Sequence, residues 1–426
     1  MTGSVKRGSW APALLLFFWF PGAAAGQAAG VPPGVQGRGY DMRNDLRPTR
    51  LTIAMWDYCW AYMHYKGGAY EDWKKVCSEL TDRGFNTVRI DAFPMIIGRL
   101  KSLDEEVSLR GNPLRTWGFT DKDRKHPLAK DLVEFVKTAG NAGLYVILST
   151  WNHDCVEYPK LREYYAKDRK LYWKAWERVL DLLGKNGLLE RVLYVDLDQE
   201  FPWFSPFRPE LNRLGKGDES GGDDMEKAGR IPGFVWNRRQ LDFVKDYLGS
   251  SLKHFQRLYP GLRFTFSFTS FWKEIRSLGL KSFDVLEVHI WMTTMERFQA
   301  RTGFGGLKKD RGGRSYADYM RRLKAAMKSV RPMLLAEMRN QMRFAADWAR
   351  EIAAPLTTTE AWGPWWHMDH PDLEWRWLYD WCEQCMAMAP EFGFWGVTPW
   401  NYSHPFWKNW SNVEWYRRVN LRFLGS

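Results

Sequence analysis

In this chain of 426 residues, the stretch YVDLDQEFPWF (194–204) sets Asp196, Asp198 and Glu200 at alternate positions at the end of an apolar run. Phe201, Trp203 and Phe204 follow at once. A second glutamate, Glu360, ends PLTTTE (355–360) and stands two residues before Trp362. Two carboxyl groups brought face to face among aromatic rings can share one reaction between them. A protonated acid gives its proton to a leaving oxygen while an ionised partner attacks or activates water. Cleavage of a glycosidic bond needs such a pair, and the flat C–H faces of sugar rings stack well on indole. The 25 Trp outnumber the 18 Tyr, and so many indoles ask for work at a surface or cleft as well as in a core.

Other chemistries find less support. WWHMDHPDLEW (365–375) contains His367, Asp369 and His370, and WNHDC (151–155) contains His153. H-x-D-H lacks the helical H-E-x-x-H spacing, and Asp372 suits a helix cap before LEWRWL, so no metal site and no cofactor are expected. A metal-dependent sugar hydrolase using His153, His289 and His367 is the alternative within this class. No G-x-S-x-G elbow is present. Five cysteines, Cys59, Cys77, Cys155, Cys382 and Cys385, are an odd number, so at least one thiol stays outside any internal disulfide. Cys382 and Cys385 lie in a helical pattern with no second C-x-x-C, which favours helix-face thiols over zinc or redox use. The net charge of +12 is scattered among acids rather than clustered. That argues against a nucleic-acid partner and leaves room for an anionic substrate or polymer.

The elements that must hold these residues alternate regularly. Strand-like runs occupy 51–56, 86–93, 144–151, 192–200, 263–270, 284–291, 355–360 and 394–400. Helical patterns fall between them at 70–82, 128–141, 170–184, 237–258, a weaker 271–280, 315–353 interrupted by Pro332, 372–388 and after Asn409. This is the count of an α/β (β/α)8 TIM barrel in one domain. Helix-to-strand links are short and carry Gly, whereas strand-to-helix links at 94–127, 152–169, 201–236 and 292–314 are long. The long loops therefore gather at the C-terminal face of the strands, where barrel active sites sit. The strand ends bring Trp56, Asp57, Arg89, Asp91, Trp151, Asn152, His153, Asp198, Gln199, Glu200, Trp203, His289, Trp291, Glu360, Trp362 and Trp400 to that rim. Glu337 in RPMLLAEMRN competes with Glu360 for strand 7, but its neighbours follow helical spacing, and choosing it leaves PLTTTE as a ninth strand.

In order and type these residues resemble the clan A glycoside hydrolases, and among them the family 5 cellulases and their cellulase-like, sugar-binding relatives. The resemblance covers nearly all of the chain after residue 50. It implies that Glu200 in DQEFP is the acid/base and Glu360 in TTTEAWG the nucleophile. It makes Arg89 in VRIDAF the strand-2 arginine that keeps the nucleophile ionised, and His289 in VHIW the strand-6 histidine. Trp400, or else Trp395, becomes the strand-8 indole beneath the sugar. Two positions depart from the pattern: Gln199 stands where the clan has Asn, and Trp291 where family 5 members often have Tyr.

Lys6 and Arg7, the apolar stretch 12–20 and Ala23–Ala25 read as a signal peptide over 1–29, followed by a leader over 30–48 and the barrel over 49–426. Together these features predict a secreted or periplasmic glycoside hydrolase without a lasting membrane span. It would act on a β-linked poly- or oligosaccharide by a two-glutamate double displacement, with Arg89, Asp57, Asp91, Asn152, His153, Asp198, Gln199, His289 and the strand-end indoles binding the sugar. A non-catalytic carbohydrate-binding protein on the same barrel is the other alternative, and the oligomeric state is not encoded in any recognisable pattern.

Overall fold

Each apolar run of the sequence becomes a short buried strand in the computed structural model, which describes residues 48–112, 118, 120–215, 236–302, 314–364 and 375–426. These lie within one compact unit, Gln36–Ser426. The expected signal peptide and the 365–374 segment with His367, Asp369, His370 and Asp372 lie outside the described residues, as does most of the leader.

The strands are β1 (Leu51–Asp57), β2 (Thr87–Asp91), β3 (Tyr145–Ser149), β4 (Val192–Asp196), β5 (Phe264–Thr265 and Ser267–Phe268), β6 (Leu286–Val288), β7 (Leu356–Thr358) and β8 (Phe394–Val397). Neighbours pair in parallel in the order β5-β4-β3-β2-β1-β8-β7-β6-β5. The first piece of β5 bonds to β4 and the second to β6, so one interrupted strand closes the ring. The helices that return the chain are α1 (Trp73–Asp82), α2 (Leu128–Asn141), α3 (Arg169–Lys185), α4 (Arg238–Leu258), α5 (Trp272–Ser277), α6 (Arg314–Ile352), α7 (Arg376–Met388) and α8 (Val413–Leu424). The molecule is a (β/α)8 barrel. A small apolar cluster of Leu51, Ile53, Ile147, Leu193, Tyr194, Val285 and Trp395 packs separately from the large core shared by strands and helices.

Three differences from expectation have physical causes. Strand 4 stops at Asp196 rather than Glu200, because 197–202 turns and Glu200 takes a left-handed φ of 47° just before Pro202. Pro332 does not interrupt its helix: α6 runs through it for 39 residues. Proline in a helix interior costs about 3 kcal/mol. Here Leu323, Met327, Val330, Leu334, Met338, Met342, Ala345 and Trp348 form one buried stripe across both sides of it, and that burial outweighs the lost backbone bond. The long link after β2 contains an antiparallel hairpin, Val107–Leu109 with Arg124–His126, whose strands are too short to leave a periodic signal.

Five non-glycine residues with positive φ follow the first five strands closely: Asp57, Phe93, Asn152, Glu200 and Phe271. No helix among the described residues is long and apolar enough to cross a membrane.

All five cysteines are buried as thiols. Burial pushes Cys59, Cys382 and Cys385 well above their ordinary range, so they are poor nucleophiles. A thiol reagent should accordingly label none of the five in the native protein and all five after denaturation. Adding reductant should leave the melting temperature unchanged.

Candidate active site

The inner face of the barrel is built from alternate residues of each strand. On β2 the inward position near the C-terminal end is Arg89, which is 0% exposed. Its Nη1 lies 2.7 Å from Glu360 Oε1 and 3.3 Å from Asp57 Oδ1, and its Nη2 donates to Ser149 Oγ at 3.1 Å. Glu360, directly beyond β7, is 2% exposed. Its Oε1 also accepts a close hydrogen bond from Gln199 Nε2. Ser149 Oγ in turn donates to Gln199 Oε1 at 2.7 Å. Side chains from strands 1, 2, 3, 4 and 7 thus join in one network, in which Arg89 and Gln199 bond to Glu360 directly and Asp57 and Ser149 hold those two in place.

Glu200 reaches the same place from the turn after β4. Its backbone N–H donates to Ser267 Oγ at 2.9 Å, which fixes the turn against β5. Its side chain retains 13% exposure, against 3% for Glu360. His289, after β6, stands between the two acids: Nδ1 is 2.9 Å from Glu200 Oε1 and 3.6 Å from Glu360 Oε2. One ligand atom from each of Glu200, His289 and Glu360 falls within 4.8 Å of the others. That spacing alone would suit a cation, and it also sets Nδ1 at hydrogen-bond distance from Glu200, as an acid–imidazole–acid cluster.

Its electrostatics follow from burial. Glu360 is pushed up, first by desolvation and then by Glu200 and Asp57, against the pull of His289 and Arg89. Burial opposes a charge on His289, yet Glu360, Glu200 and Glu287 lift it to about 10. These two shifts depend on each other, since a proton on Glu360 removes part of what lifts His289. The direction that stands for the cluster is retention of a proton into the neutral range, because two close carboxylates do not both ionise freely. Burial likewise raises Asp57, against the pull of Arg89.

The other expected ligands divide. Trp151 and Trp203 are half-buried in the segments after β3 and β4, and the Trp151 ring lies 4.5 Å from that of Phe204. The Trp203 backbone N–H bonds to Glu200 O in the same turn, and its indole N–H donates to Ser270 Oγ at 3.2 Å. Trp291 is 3% exposed, and its strand segment pairs with Ala361–Trp362 beside Glu360. His153 is enclosed by the rings of Tyr58, Tyr62 and Phe93, and burial lowers it to about 3, so it is neutral.

Trp56, Trp362 and Trp400 do not form sugar platforms. Each is fully buried, with its indole N–H donated to Ser403 O, Thr398 O and Tyr416 Oη respectively. Trp400 packs on Tyr379 of α7 and Trp415 of α8, and Trp56 on Phe135 of α2. The strand-8 alternative, Trp395, belongs to the separate apolar cluster. Strand ends alternate between faces, and Trp56, Trp362 and Trp400 fall on the helix side.

Asp91, Asn152 and Asp198 hold loops. Asp91 accepts the backbone N–H groups of Phe93 (2.7 Å) and Trp151 (2.9 Å). Asp198 accepts Asn152 Nδ2 at 3.0 Å and Tyr247 Oη at 3.3 Å. It does not share the surroundings of Glu200, because the strand has already ended at Asp196 and its alternation no longer governs the turn that carries them. Burial raises it to about 8. Gln199 has both ends of its amide engaged, by Ser149 and Glu360, so it orients the acid rather than offering a free group to a sugar.

Sequence reasoning passed over Ser149 and Glu287, and placed Asn401 at the strand-8 end without giving it a role. The first two occupy inward strand positions, a signal available from alternation. Asn401, 0% exposed, bonds through its backbone N–H to Ala361 O, and neither polar atom of its side chain has a hydrogen-bond partner.

A family model described as sugar-binding cellulase-like matches residues 53–424. Among solved structures, a candidate glycoside hydrolase from Parabacteroides distasonis is 24% identical with a TM-score of 0.72, covering 88% of this chain and 94% of that one. A family 5 mannosidase from Rhizomucor miehei is 10% identical with a TM-score of 0.47, covering 89% and 94%. An endo-1,4-β-D-mannanase from Thermotoga petrophila is 12% identical with a TM-score of 0.44, covering 82% and 87%. At these identities the likeness is one of fold. No curated protein matches the sequence.

Replacing Arg89 by Met leaves Asp57 and Glu360 buried without their guanidinium. Breaking a buried pair in this way should cost about 3–5 kcal/mol, read by urea unfolding at pH 7. The deficit should shrink toward pH 5. Carboxyls raised in the folded state take up protons there that the unfolded chain does not yet bind, so folding gains as pH falls.

Proposed function

The chain belongs to the sugar-binding cellulase-like family, and from that premise we propose that it is a retaining glycoside hydrolase acting on a β-linked poly- or oligosaccharide. The observation that carries this reading is the close opposition of Glu200 and Glu360, with oxygens inside 4.8 Å, across His289 and on the arginine side of the barrel. Retaining enzymes hold their two carboxyls about 5–5.5 Å apart, whereas inverting ones leave about 6.5–9.5 Å for a water.

The geometry supports a division of roles. Burial raises Glu360, but Arg89 and Gln199 each set an N–H donor on its Oε1, which favours the ionised form when the shared proton rests on Glu200. It attacks the anomeric carbon from the barrel floor. Glu200, more exposed and beside Trp203, gives its proton to the departing oxygen. It then takes a proton from the water that releases the sugar from Glu360. One proton shared by the two acids is the state this cycle starts from. Trp151 and Trp203 offer the ring faces for the sugar.

Lys6, Arg7, the apolar 12–20 stretch and Ala23–Ala25 support export by a signal peptide over 1–29, with the barrel over 49–426 as the working domain. A carbohydrate-binding role without turnover is the second reading. It is favoured by the family's sugar-binding description and by the full engagement of Gln199.

The experiment is turnover of a panel of β-linked polysaccharides and aryl glycosides by wild type, Glu200→Gln and Glu360→Gln, with the product anomer followed by NMR. Each substitution should lower kcat by at least about 10²–10⁴-fold, and the first-formed product should keep the substrate's configuration. Glycan binding without turnover in the wild type would select the second reading.

A further inference from the structure

The strand segment LEVHIW places Glu287 and His289 two residues apart, so both side chains leave β6 on the same, inner face. Glu287 is 1% exposed and is not needed by the two-glutamate scheme. Its Oε1 accepts Thr359 N at 2.8 Å and Thr359 Oγ1 at 2.7 Å. Its Oε2 accepts Tyr194 Oη at 2.6 Å and a close bond from Thr357 Oγ1. A buried carboxyl that receives four donors is held as the anion. That anion lies 3.5 Å from His289 Nε2, while His289 Nδ1 lies 2.9 Å from Glu200. The imidazole is therefore lined up between a permanently charged carboxylate on its far side and the acid/base on its near side.

Resting on the reading of Glu200 as acid/base, we infer that Glu287 is a positioning residue: it keeps His289 an imidazolium whose Nδ1–H points at Glu200 throughout the reaction. A fully buried histidine that no anion faces is neutral, and its Nδ1 is then free to be an acceptor. Glu360 and Glu200 also favour the cation, but both change charge or bonding during the cycle, and Glu287 does not. With Glu287 in place, Nδ1–H donates to Glu200 before proton transfer and to its carboxylate afterwards. The cation then steadies the ionised form that must next act as base. The groups that face His289 are Glu287 on its own strand, Glu200 from the turn after β4, and Glu360 and the Thr359 hydroxyl beyond β7. Asp57 from β1 and Asp196 from β4 act on it at longer range. Glu287 itself is held down to about 2: burial opposes its charge, and His289, Arg89 and Thr357 overcome that.

The test is ¹⁵N NMR of histidine-labelled full-length protein, with the His289 signals assigned by their loss in His289→Gln. In the wild type, both ring nitrogens of His289 should show the imidazolium signature across the neutral range. In Glu287→Gln the midpoint should fall by more than about one pH unit, a tenfold change in proton affinity. Tyr194→Phe removes a donor but keeps the charge, and should leave the midpoint nearly in place. A neutral His289 in the wild type at pH 7 overturns the inference whether or not any variant folds. So does an unchanged midpoint in Glu287→Gln, or an equal shift in Tyr194→Phe. None of these readings needs turnover, so an absence of glycosidase activity leaves the assignment of His289 standing or falling on its own. If turnover is present, Glu287→Gln should draw the alkaline limb of the kcat profile to lower pH with little change in KM.

Discussion

Arg89 is the charge around which the interior of this barrel is arranged. A guanidinium withdrawn from water needs anions and acceptors on every side. It finds Asp57, Glu360 and Ser149, each from a different strand. Those groups then need partners of their own. Gln199 completes Glu360, Ser149 completes Gln199, and Ser267 satisfies Asp196 through both its backbone N–H and its hydroxyl. The buried acids Asp57, Asp196, Glu287 and Glu360 outnumber the two cations, Arg89 and His289. Hydroxyls of Ser149, Ser267, Thr357, Thr359 and Tyr194 make up part of the difference by donating, and shared protons make up more. A closed barrel suits this, since each of its strands can send one inward side chain to the same layer.

The abundant tryptophans serve two separate purposes. Trp56, Trp362 and Trp400 fill the seam between strands and helices, each tied by its ring N–H to an acceptor that would otherwise be lost to burial. Trp151 and Trp203 remain half-exposed in the segments after β3 and β4. Composition records the sum of the two populations and not their division. The division depends on which side of each strand end a residue falls, and a single-residue turn reverses it.

The architecture was largely legible because it rests on periodicity. Eight apolar runs and their intervening helices stand where alternation and helical spacing set them, and the long links fall on one side of the repeat. The acids, Arg89 and His289 were legible too, as polar residues at strand ends that stability alone does not require. What stayed hidden was set by distance in sequence. Nothing local tells that Gln199 will be consumed by Glu360, 161 residues away, or that Asp198 will serve Asn152 and Tyr247 while its neighbour Glu200 serves the cleft. Pro332 misled for the reverse reason: its local cost is real, but the buried stripe of α6 is a tertiary fact.

The left-handed residues that follow the first five strands have a bearing on where this molecule yields. Asp57, Phe93, Asn152, Glu200 and Phe271 hold a backbone conformation that disfavours side chains by about 1–2 kcal/mol each. All of them lie at the exits of strands, at the end of the barrel that carries the acids. The opposite end has short links, most of them glycine-bearing, and among the described residues one such non-glycine, Ala353. The barrel is thus graded along its axis, with relaxed geometry at one end and conformational tension at the other. Opening fluctuations should begin at the tense end, around the acids, while the strands beneath keep the register on which Arg89 depends.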